Sequence, residues 1–143
     1  MPSSYVSNQV HLVFSTKNRL KVIPEALQPK LWSYLAGIAK THGMHAIAIA
    51  GIEDHAHALI QMGPTLGIAK AVQVLKANSS RWMHVHSGMR FEWQEGYFAC
   101  SVSRSQVPAV MRYIANQKEH HHKIDFAMEF ELLLKRHGLN FRE

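Results

Sequence analysis

The sequence predicts an α+β fold of the ferredoxin-like (split βαβ) type: a four-stranded antiparallel sheet with two helices on one face, followed by C-terminal helices. Segments with strand and helix periodicity follow one another in the order β-α-β-β-α-β, and two further helical segments come after them. The 143 residues have the length of one domain, and no repeat, low-complexity segment or Pro/Gly/Ser-rich linker divides them. We therefore predict one domain over residues 1–143, with a ferredoxin-like core at 5–104 and a helical part at 105–143.

The first half of the chain supplies a strand, a helix and a second strand. Apolar and polar residues alternate over residues 8–15, which predicts a half-buried strand. An apolar stripe with helical spacing runs over residues 24–41, where Pro24 can open the helix and Gly43 can end it. Residues 44–52 are apolar and few, which predicts a short, buried strand.

The second half supplies two more strands and three helices. Strand periodicity is found over residues 55–62 and again over residues 97–103, and a helical segment at about 66–86 separates them. A third helix is predicted at about 106–121, with Ser105 as its cap. The last helix covers residues 126–136, and the tyrosine discussed below lies on the third helix.

The composition excludes several classes of protein. The chain is 47% hydrophobic and 18% charged, which is typical of a folded globular domain. It has no run of about 18 apolar residues, and its N-terminus lacks the basic and apolar regions of a signal peptide. The single cysteine, Cys100, excludes an internal disulfide framework and a Cys-rich zinc site. We expect a cytoplasmic protein with no membrane partner.

The charge of the chain favours a polyanionic partner. The net charge is +6, and the excess of Lys and Arg lies within residues 1–118. A basic body is typical of proteins that bind nucleic acid, although a basic surface without such a role would carry the same charge. The eleven histidines are several-fold more than ordinary usage, and histidine is the commonest metal ligand and acid–base group.

Two histidines share one face of the third predicted strand. His55 and His57 are two residues apart, so their side chains lie on the same side of the strand, about 6.5–7 Å apart along the chain. Ala56 and Ala58 face the other way and are expected to pack on the helices. Both imidazoles can turn toward one cation. A pair of solvent-facing histidines without a role would give the same pattern, and two ligands do not complete a metal site.

A tyrosine and a glutamine lie one turn apart on the third predicted helix. Tyr113 and Gln117 have the i, i+4 spacing that places them on one edge of the helix. Taken separately, Tyr113 is best explained as an interfacial core residue and Gln117 as a surface residue. Together with His55 and His57, the pair favours a metal site with a nucleophile beside it. Gln117 offers a neutral oxygen ligand, and Tyr113 lies where a nucleophile could attack a metal-bound phosphate.

The motif His55-Ala56-His57 on a strand, followed by Tyr113 and Gln117 on a helix, resembles the HUH single-tyrosine transposases. These are the DNA transposases of the insertion sequence 200 class and the REP-associated tyrosine transposases. The stretch 91–103 is similar to a Trp-Gln-x-Gly-Tyr-x-Ala-Phe-Ser-Val-Ser block of that family, with Cys100 where the family has Phe. Residues 8–17 also resemble the family, and the resemblance covers about residues 5–140.

The resemblance implies a function and a set of site residues. It implies that Tyr113 attacks a phosphodiester of single-stranded DNA, forms a 5′-phosphotyrosine link and releases a 3′-hydroxyl, so that DNA is cleaved and rejoined. It implies a divalent metal, Mg or Mn, held by His55, His57 and Gln117. It also implies a homodimer, in which the tyrosine helix of one subunit can complete the site of the other, and DNA ends that carry imperfect hairpins.

Basic and aromatic residues between positions 64 and 118 are candidates for DNA contacts. Lys and Arg bind phosphates without reading sequence, and an indole ring can stack on an unpaired base. A solvated helix face explains the basic residues almost as well, and core packing is the ordinary role of a tryptophan. The seven candidates are Lys70, Lys76, Arg81, Arg90, Trp93, Arg104 and Arg112.

Two alternatives from other classes remain open at the level of sequence. A non-catalytic RNA- or DNA-binding ferredoxin-like module would expose aromatic residues on the two central strands, where this sequence has His11, His55, His57 and Gln61 instead. A small metal-dependent hydrolase that uses the His-rich stretch 120–122 would bind zinc tightly and form no covalent DNA adduct. Three adjacent histidines at a helix end point in different directions, so we do not expect them to form a closed site.

Overall fold

The computed structural model describes residues 4–139, so both ends of the predicted domain lie outside the described residues. Four strands form one sheet: β1 (Gln9–Ser15), β2 (His45–Ile52), β3 (His55–Gln61) and β4 (Phe98–Val102). Two long helices cross over between them: α1 (Gln28–Thr41) and α2 (Ile68–Ser87). Three shorter helices follow the sheet: α3 (Val107–Ala115), α4 (Gln117–His120) and α5 (Phe126–Arg136).

The sheet has the strand order β2-β3-β1-β4, and every neighbouring pair is antiparallel. This is the ferredoxin-like order, so the predicted fold is confirmed. The strands β1 and β3 are central, and the histidine pair lies on one of them. Ser15 pairs with His55 and Val13 with His57, which fixes the height of both histidines in the sheet.

One face of the sheet packs against α1 and α2 and forms the main hydrophobic core. Alternate residues of the central strands supply it, including Leu12 from β1 and Ala58 and Ile60 from β3. Leu35 of α1 and Leu75 of α2 pack against them. The expectation that the alanine face of the histidine strand packs on the helices is therefore confirmed. The histidines consequently point to the other face.

The second face of the sheet is covered by the C-terminal helices. Leu59 and Val102 of the sheet pack with Ile114 of α3. A second cluster joins Val13 and Phe98 of the sheet to Phe126 and Leu133 of α5. The molecule thus has three layers with the sheet in the middle. The half-buried strand expected over residues 8–15 is wrong in this respect, because both faces of β1 are buried.

The structure changes several predicted boundaries. The third helix, predicted at about 106–121, is interrupted at Asn116, which leaves helical geometry (φ −97°, ψ 20°) and separates α3 from α4. Asparagine is a poor helix former because its side chain competes for backbone hydrogen bonds. Ser105 lies in a 3₁₀ turn and does not cap α3. The α-helix predicted from residue 24 begins with a 3₁₀ turn, so α1 starts at Gln28. At α5, Asp125 caps the first turn by accepting from the amide of Met128.

Within residues 4–139, no helix combines the length and the apolar character that crossing a membrane requires.

Candidate active site

The site lies on the face of β3 that the C-terminal helices cover, at the centre of the sheet. His55 and His57 are both fully buried, with no exposed surface. The structure therefore excludes a pair of solvent-facing histidines. The end of β2 next to His55 needs a glycine, because a Cβ at Gly51 would lie 2.1 Å from the carbonyl oxygen of His55. This close approach of β2 to β3 fixes the backbone that carries the first histidine.

Each histidine is oriented through its Nδ1 atom. The Nδ1–H of His55 donates to Asp54 Oδ1 over 2.8 Å. Nδ1 of His57 shares a hydrogen bond of 2.9 Å with Nε2 of His11, which lies on the neighbouring strand β1. Hydrogen bonds of this kind fix the ring orientation of metal-binding histidines. The Nε2 atoms of both rings are consequently turned toward the C-terminal helices.

Gln117 meets the histidines from the start of α4. Its side chain is buried, and its Oε1 lies 2.9 Å from Nε2 of His55. Burial disfavours the charged form of His55, but the hydrogen bonds with Asp54, Glu129 and Gln117 outweigh it and raise the pKa of His55 to about 9. By contrast, burial lowers the pKa of His57 to about 4. One imidazole of the pair is thus a cation and its neighbour is neutral.

Glu129, on α5, lies at the centre of the cluster and was not predicted from the sequence. It is 1% exposed, and its Oε1 lies 3.3 Å from Nε2 of His55 and 3.3 Å from Nε2 of His57. Burial alone would raise the pKa of this carboxyl. The hydrogen bonds from His121, His55 and His57 hold it well below its usual range. The carboxylate is therefore ionised, and it connects the sheet to the tail.

The sequence does contain a signal for Glu129. The residues that α5 buries are Phe126, Glu129 and Leu133, which have helical spacing on one stripe. A charged residue on an otherwise apolar stripe is rarely buried without a partner. The stripe was visible in the sequence, but its neighbours across the sheet were not.

A histidine of the tail joins the same cluster. Nε2 of His121 lies 3.1 Å from Gln117 Oε1 and 3.1 Å from Glu129 Oε1. Nε2 of the adjacent His120 lies 3.4 Å from Glu129 Oε2. The expectation that adjacent tail histidines do not form a closed site by themselves is consistent with this, because both join a cluster built by other elements. Among the described residues, the ligand atoms of His55, His121 and Glu129 lie within 4.8 Å of one another. His57 is outside that group and reaches it through Glu129 Oε1.

Tyr113 lies against the same cluster from α3. Its hydroxyl donates to Oε2 of Glu129, and its ring lies 5.5 Å from the ring of His57. Burial, and then the negative charge of Glu129, raise the pKa of Tyr113 above its usual range. The phenol therefore keeps its proton in this state of the protein. Tyr113 and Gln117 are one turn apart, as predicted, despite the break at Asn116.

A groove with a volume of about 530 Å³ opens beside Tyr113, between β4, α3 and α5. Its lining includes Tyr113, the buried His11, and the exposed Ser103, Arg136 and His137. The side chain of Arg136 is exposed there. The groove therefore brings Tyr113 and an exposed arginine to one surface depression.

The donor atoms of the cluster fit a divalent cation. Imidazole nitrogens, an amide oxygen and a carboxylate oxygen face one another, and the distances between neighbouring donor atoms lie between 2.9 and 3.3 Å. Ligand atoms bound at about 2.1 Å from one cation in octahedral geometry lie roughly 3 Å apart. The residues present can therefore hold such an ion without a large rearrangement.

The structure distributes the predicted DNA-contact residues over both sides of the sheet. Lys70, Lys76 and Arg81 belong to α2, which packs on the face opposite the histidines. Arg104 lies in the 3₁₀ turn that precedes α3, and Arg112 lies on α3 itself, the helix that carries Tyr113. Both side chains are exposed. These residues are therefore not gathered at one surface.

Four of the candidates have partners within the protein. Lys76 Nζ donates to the carbonyl oxygens of Gln94 and Gly96, and burial lowers the pKa of Lys76. Trp93 packs against Phe14 with its ring centroid 4.8 Å away, and its Nε1 donates to Ser79. Trp93 therefore packs against the core, which is the ordinary role of a tryptophan. Arg90 is exposed and pairs with Glu92, and the guanidinium of Arg81 donates to Oδ1 of Asn78.

Comparison with known proteins gives consistent matches. The family model described as "Transposase IS200 like" matches residues 4–117. The ISDra2 transposase TnpA of Deinococcus radiodurans is 27% identical over 118 residues, which cover 78% of this chain and 84% of that protein. A crystal structure of a Deinococcus radiodurans protein assigned as a transposase superposes with a TM-score of 0.65 at 26% identity, covering 82% of this chain and 96% of the other.

A second solved structure shares the fold. It is described as a REP-associated tyrosine transposase bound to a REP hairpin. It superposes with a TM-score of 0.63 at 11% identity, and the match covers 85% of this chain and 73% of the other. At that identity the likeness concerns the architecture of the domain.

Proposed function

The chain belongs to the IS200-like transposase family and is a transposase, and from this premise we propose that it cleaves and rejoins single-stranded DNA through a covalent bond to Tyr113. The family resemblance predicted from the sequence is confirmed. One observation carries the finer proposal: Tyr113, His55, His57 and Gln117 converge in one cluster from three separate elements. Neither a binding module nor a simple hydrolase needs a tyrosine in that position.

The proposed reaction exchanges one phosphate ester for another. The Tyr113 oxygen attacks the phosphorus and the bond between phosphorus and the 3′-oxygen breaks. The 3′-oxygen takes up a proton from solvent and leaves as a hydroxyl. The phenol proton passes to an acceptor beside it, and Oε2 of Glu129 already accepts a hydrogen bond from that phenol. The tyrosine ester retains the energy of the broken bond, so a second 3′-hydroxyl can reverse the attack and rejoin the strand.

We propose that His55, His57 and Gln117 hold a divalent ion, Mg or Mn. When bound, such an ion would polarise the phosphate and stabilise the negative charge that develops during the attack. The residues of the chain prepare this site beforehand. Asp54 and His11 hold the two imidazoles in place, and the tail helices keep the cluster out of bulk water.

The proposed substrate is a single DNA strand next to a hairpin. The net charge of +6 supports an anionic partner, and Arg136 in the groove beside Tyr113 is placed to contact a phosphate. The hairpin seen with the structural neighbour supports the same class of ligand for this chain. The basic residues of α2 lie on the far side of the sheet, where they would bind the duplex part of such a ligand and not the cleaved strand.

The homodimer remains part of the proposal. Within residues 4–139, no strand pairs with the outer sides of the edge strands β2 and β4, and pairing across a two-fold axis would cover an edge. The tyrosine and the histidines of one chain are already in contact, which supports a site within a single subunit. Mixing His57→Ala with Tyr113→Phe protein tests the two arrangements. Recovery of cleavage after verified subunit exchange would favour a shared site, and no recovery would favour a site within one chain.

The experiment that tests the function uses oligonucleotides. Single-stranded DNA covering the palindromes that flank the gene is incubated with the protein and Mg²⁺, and the product is denatured before electrophoresis. A labelled strand that stays attached to the protein supports the tyrosine mechanism. A cleaved strand without attachment would indicate a hydrolase, and binding without cleavage would indicate a non-catalytic module.

A further inference from the structure

We propose that Glu129 supplies a negatively charged ligand to the metal site, in addition to His55, His57 and Gln117. The inference rests on the proposed function, because it concerns the ion of the same site. It gives α5, which lies beyond the segment matched by the family model, a chemical role besides packing.

The position of the carboxylate is that of a ligand. Oε1 of Glu129 lies 3.3 Å from Nε2 of His55 and 3.3 Å from Nε2 of His57. The proposed ligand atoms His55 Nε2 and Gln117 Oε1 are 2.9 Å apart, so the carboxylate oxygen has a spacing similar to that of the other proposed ligands. Neighbouring ligand atoms of one octahedral ion are separated by about 3 Å.

The charge of the ligand set leads to the same residue. Two imidazoles and an amide are neutral as ligands, and imidazoles favour zinc, copper or nickel, whereas carboxylates favour magnesium and manganese. Among the residues that the structure describes, the carboxylates in contact with these histidines are Asp54 and Glu129. Asp54 binds the Nδ1 side of His55, away from the cluster. Glu129 is therefore the carboxylate on the Nε2 side, where an ion would lie.

The burial of Glu129 shows that its charge is compensated. A buried carboxylate without partners is strongly unfavourable. The hydrogen bonds from Tyr113 and Gln117, and the close contacts of Oε1 with His55, His57 and His121, provide the compensation. A divalent ion can provide it by displacing a proton, since metal binding to protonated ligands releases protons.

The second oxygen links the ligand set to the nucleophile. Oε2 accepts from the hydroxyl of Tyr113 and from Nε2 of Gln117, the latter over 3.2 Å. One carboxylate group thus contacts both histidines through one oxygen and the tyrosine through the other. Glu129 would therefore hold the phenol oxygen beside the ion.

The test measures the binding of Mn²⁺ alone, without DNA, by isothermal titration calorimetry. Glu129→Gln keeps the shape of the side chain and removes its charge, and we expect it to weaken Mn²⁺ binding at least tenfold, as loss of metal-site partners does elsewhere. Glu129→Asp keeps the charge and should retain more affinity than the Gln variant. Glu131→Gln is the matched control, because Glu131 is exposed on the same helix, and it should bind Mn²⁺ as the unaltered protein does.

Several outcomes would overturn the inference. Unchanged Mn²⁺ affinity in Glu129→Gln, with binding lost in His55→Ala, would exclude Glu129 as a ligand and leave the histidine site standing. Faster DNA cleavage by Glu129→Gln would show that the carboxylate occupies the place of the substrate. Unchanged binding in His55→Ala as well would instead refute the metal site of the proposed function. If the Gln variant does not fold, anomalous scattering from Mn²⁺ in crystals of the unaltered protein decides, since an ion not coordinated by Glu129 would refute the proposal.

Discussion

Replacing Tyr113 by Phe separates the chemical role of its hydroxyl from its structural role. The ring would keep its contacts with His11 and His57, and the hydrogen bond to Glu129 would be lost. A hydrogen bond to a charged group contributes about 1.5–3 kcal/mol to stability. Oε2 of Glu129 keeps Gln117 as a donor, and the phenol oxygen no longer needs to be buried, so we expect a loss near or slightly below the lower end of that range. The free energy of unfolding should fall by about 1–2 kcal/mol.

That loss corresponds to a decrease of roughly 2–8 °C in melting temperature for a domain of this size. The variant should therefore remain folded at 25 °C and bind hairpin DNA. It should form no covalent DNA adduct, because no other oxygen occupies the place of the phenol. Melting followed by circular dichroism measures the stability, and denaturing electrophoresis with mass spectrometry of the linked peptide measures the adduct.

The control for this experiment is Tyr97→Phe. Tyr97 is 42% exposed at the start of β4, and its replacement should leave both the adduct and the melting temperature unchanged. A DNA adduct formed by the Tyr113→Phe protein, or a nucleotide attached to Tyr97, would refute the assignment of the nucleophile. A melting temperature unaffected by Tyr113→Phe would refute the hydrogen bond to Glu129 as a stabilising contact.

Three further predictions follow from the same geometry. His57→Ala should abolish DNA cleavage in Mg²⁺, while hairpin binding in a gel-shift assay stays within twofold, because contacts to the phosphate backbone of the DNA determine binding. Normal cleavage by this variant would contradict the assignment of His57 as a metal ligand. Gly51→Ala should destabilise the fold by about 1–3 kcal/mol in urea denaturation, because a Cβ would lie 2.1 Å from the carbonyl oxygen of His55. An unchanged denaturation midpoint would show that the backbone of β2 and β3 can relax at this position. Arg136→Ala should weaken binding of single-stranded DNA and lower its salt slope by about 0.7, whereas Lys135→Ala, on the same helix, should change neither as much; equal effects would exclude a specific phosphate contact.

Short-range periodicity made the fold and the central residues of the site predictable. The alternation of residues 55–62 placed His55 and His57 on one face, and the structure has them there. The spacing of Tyr113 and Gln117 placed both on one helix edge, and the contact survives the break between α3 and α4. Periods of two and of 3.6 residues act within one element, so one sequence is enough to detect them.

Contacts between distant elements were not predictable in the same way. Glu129 is 72 residues from His57 in the chain, and nothing in the sequence shows which strand α5 covers. The same limit applies to His121, whose direction depends on how the chain turns after α4. Trp93 was a candidate for base stacking because it lies in a loop. Its contacts with Phe14 and Phe91 depend on the way this loop folds back onto β1.

The alternation along β3 restricts how the length of this protein can change in evolution. Successive residues of this strand serve the hydrophobic core and the histidine site in turn, and β1 and β2 hold the strand in register on both sides. Inserting or deleting one residue between Gly51 and His55, with pairing re-formed one step along, would turn the histidines into the core and the alanines toward Tyr113. Stability and activity would be lost in a single step. Natural length variation in relatives of this chain should therefore occur at other loops, while this hairpin changes only by substitution.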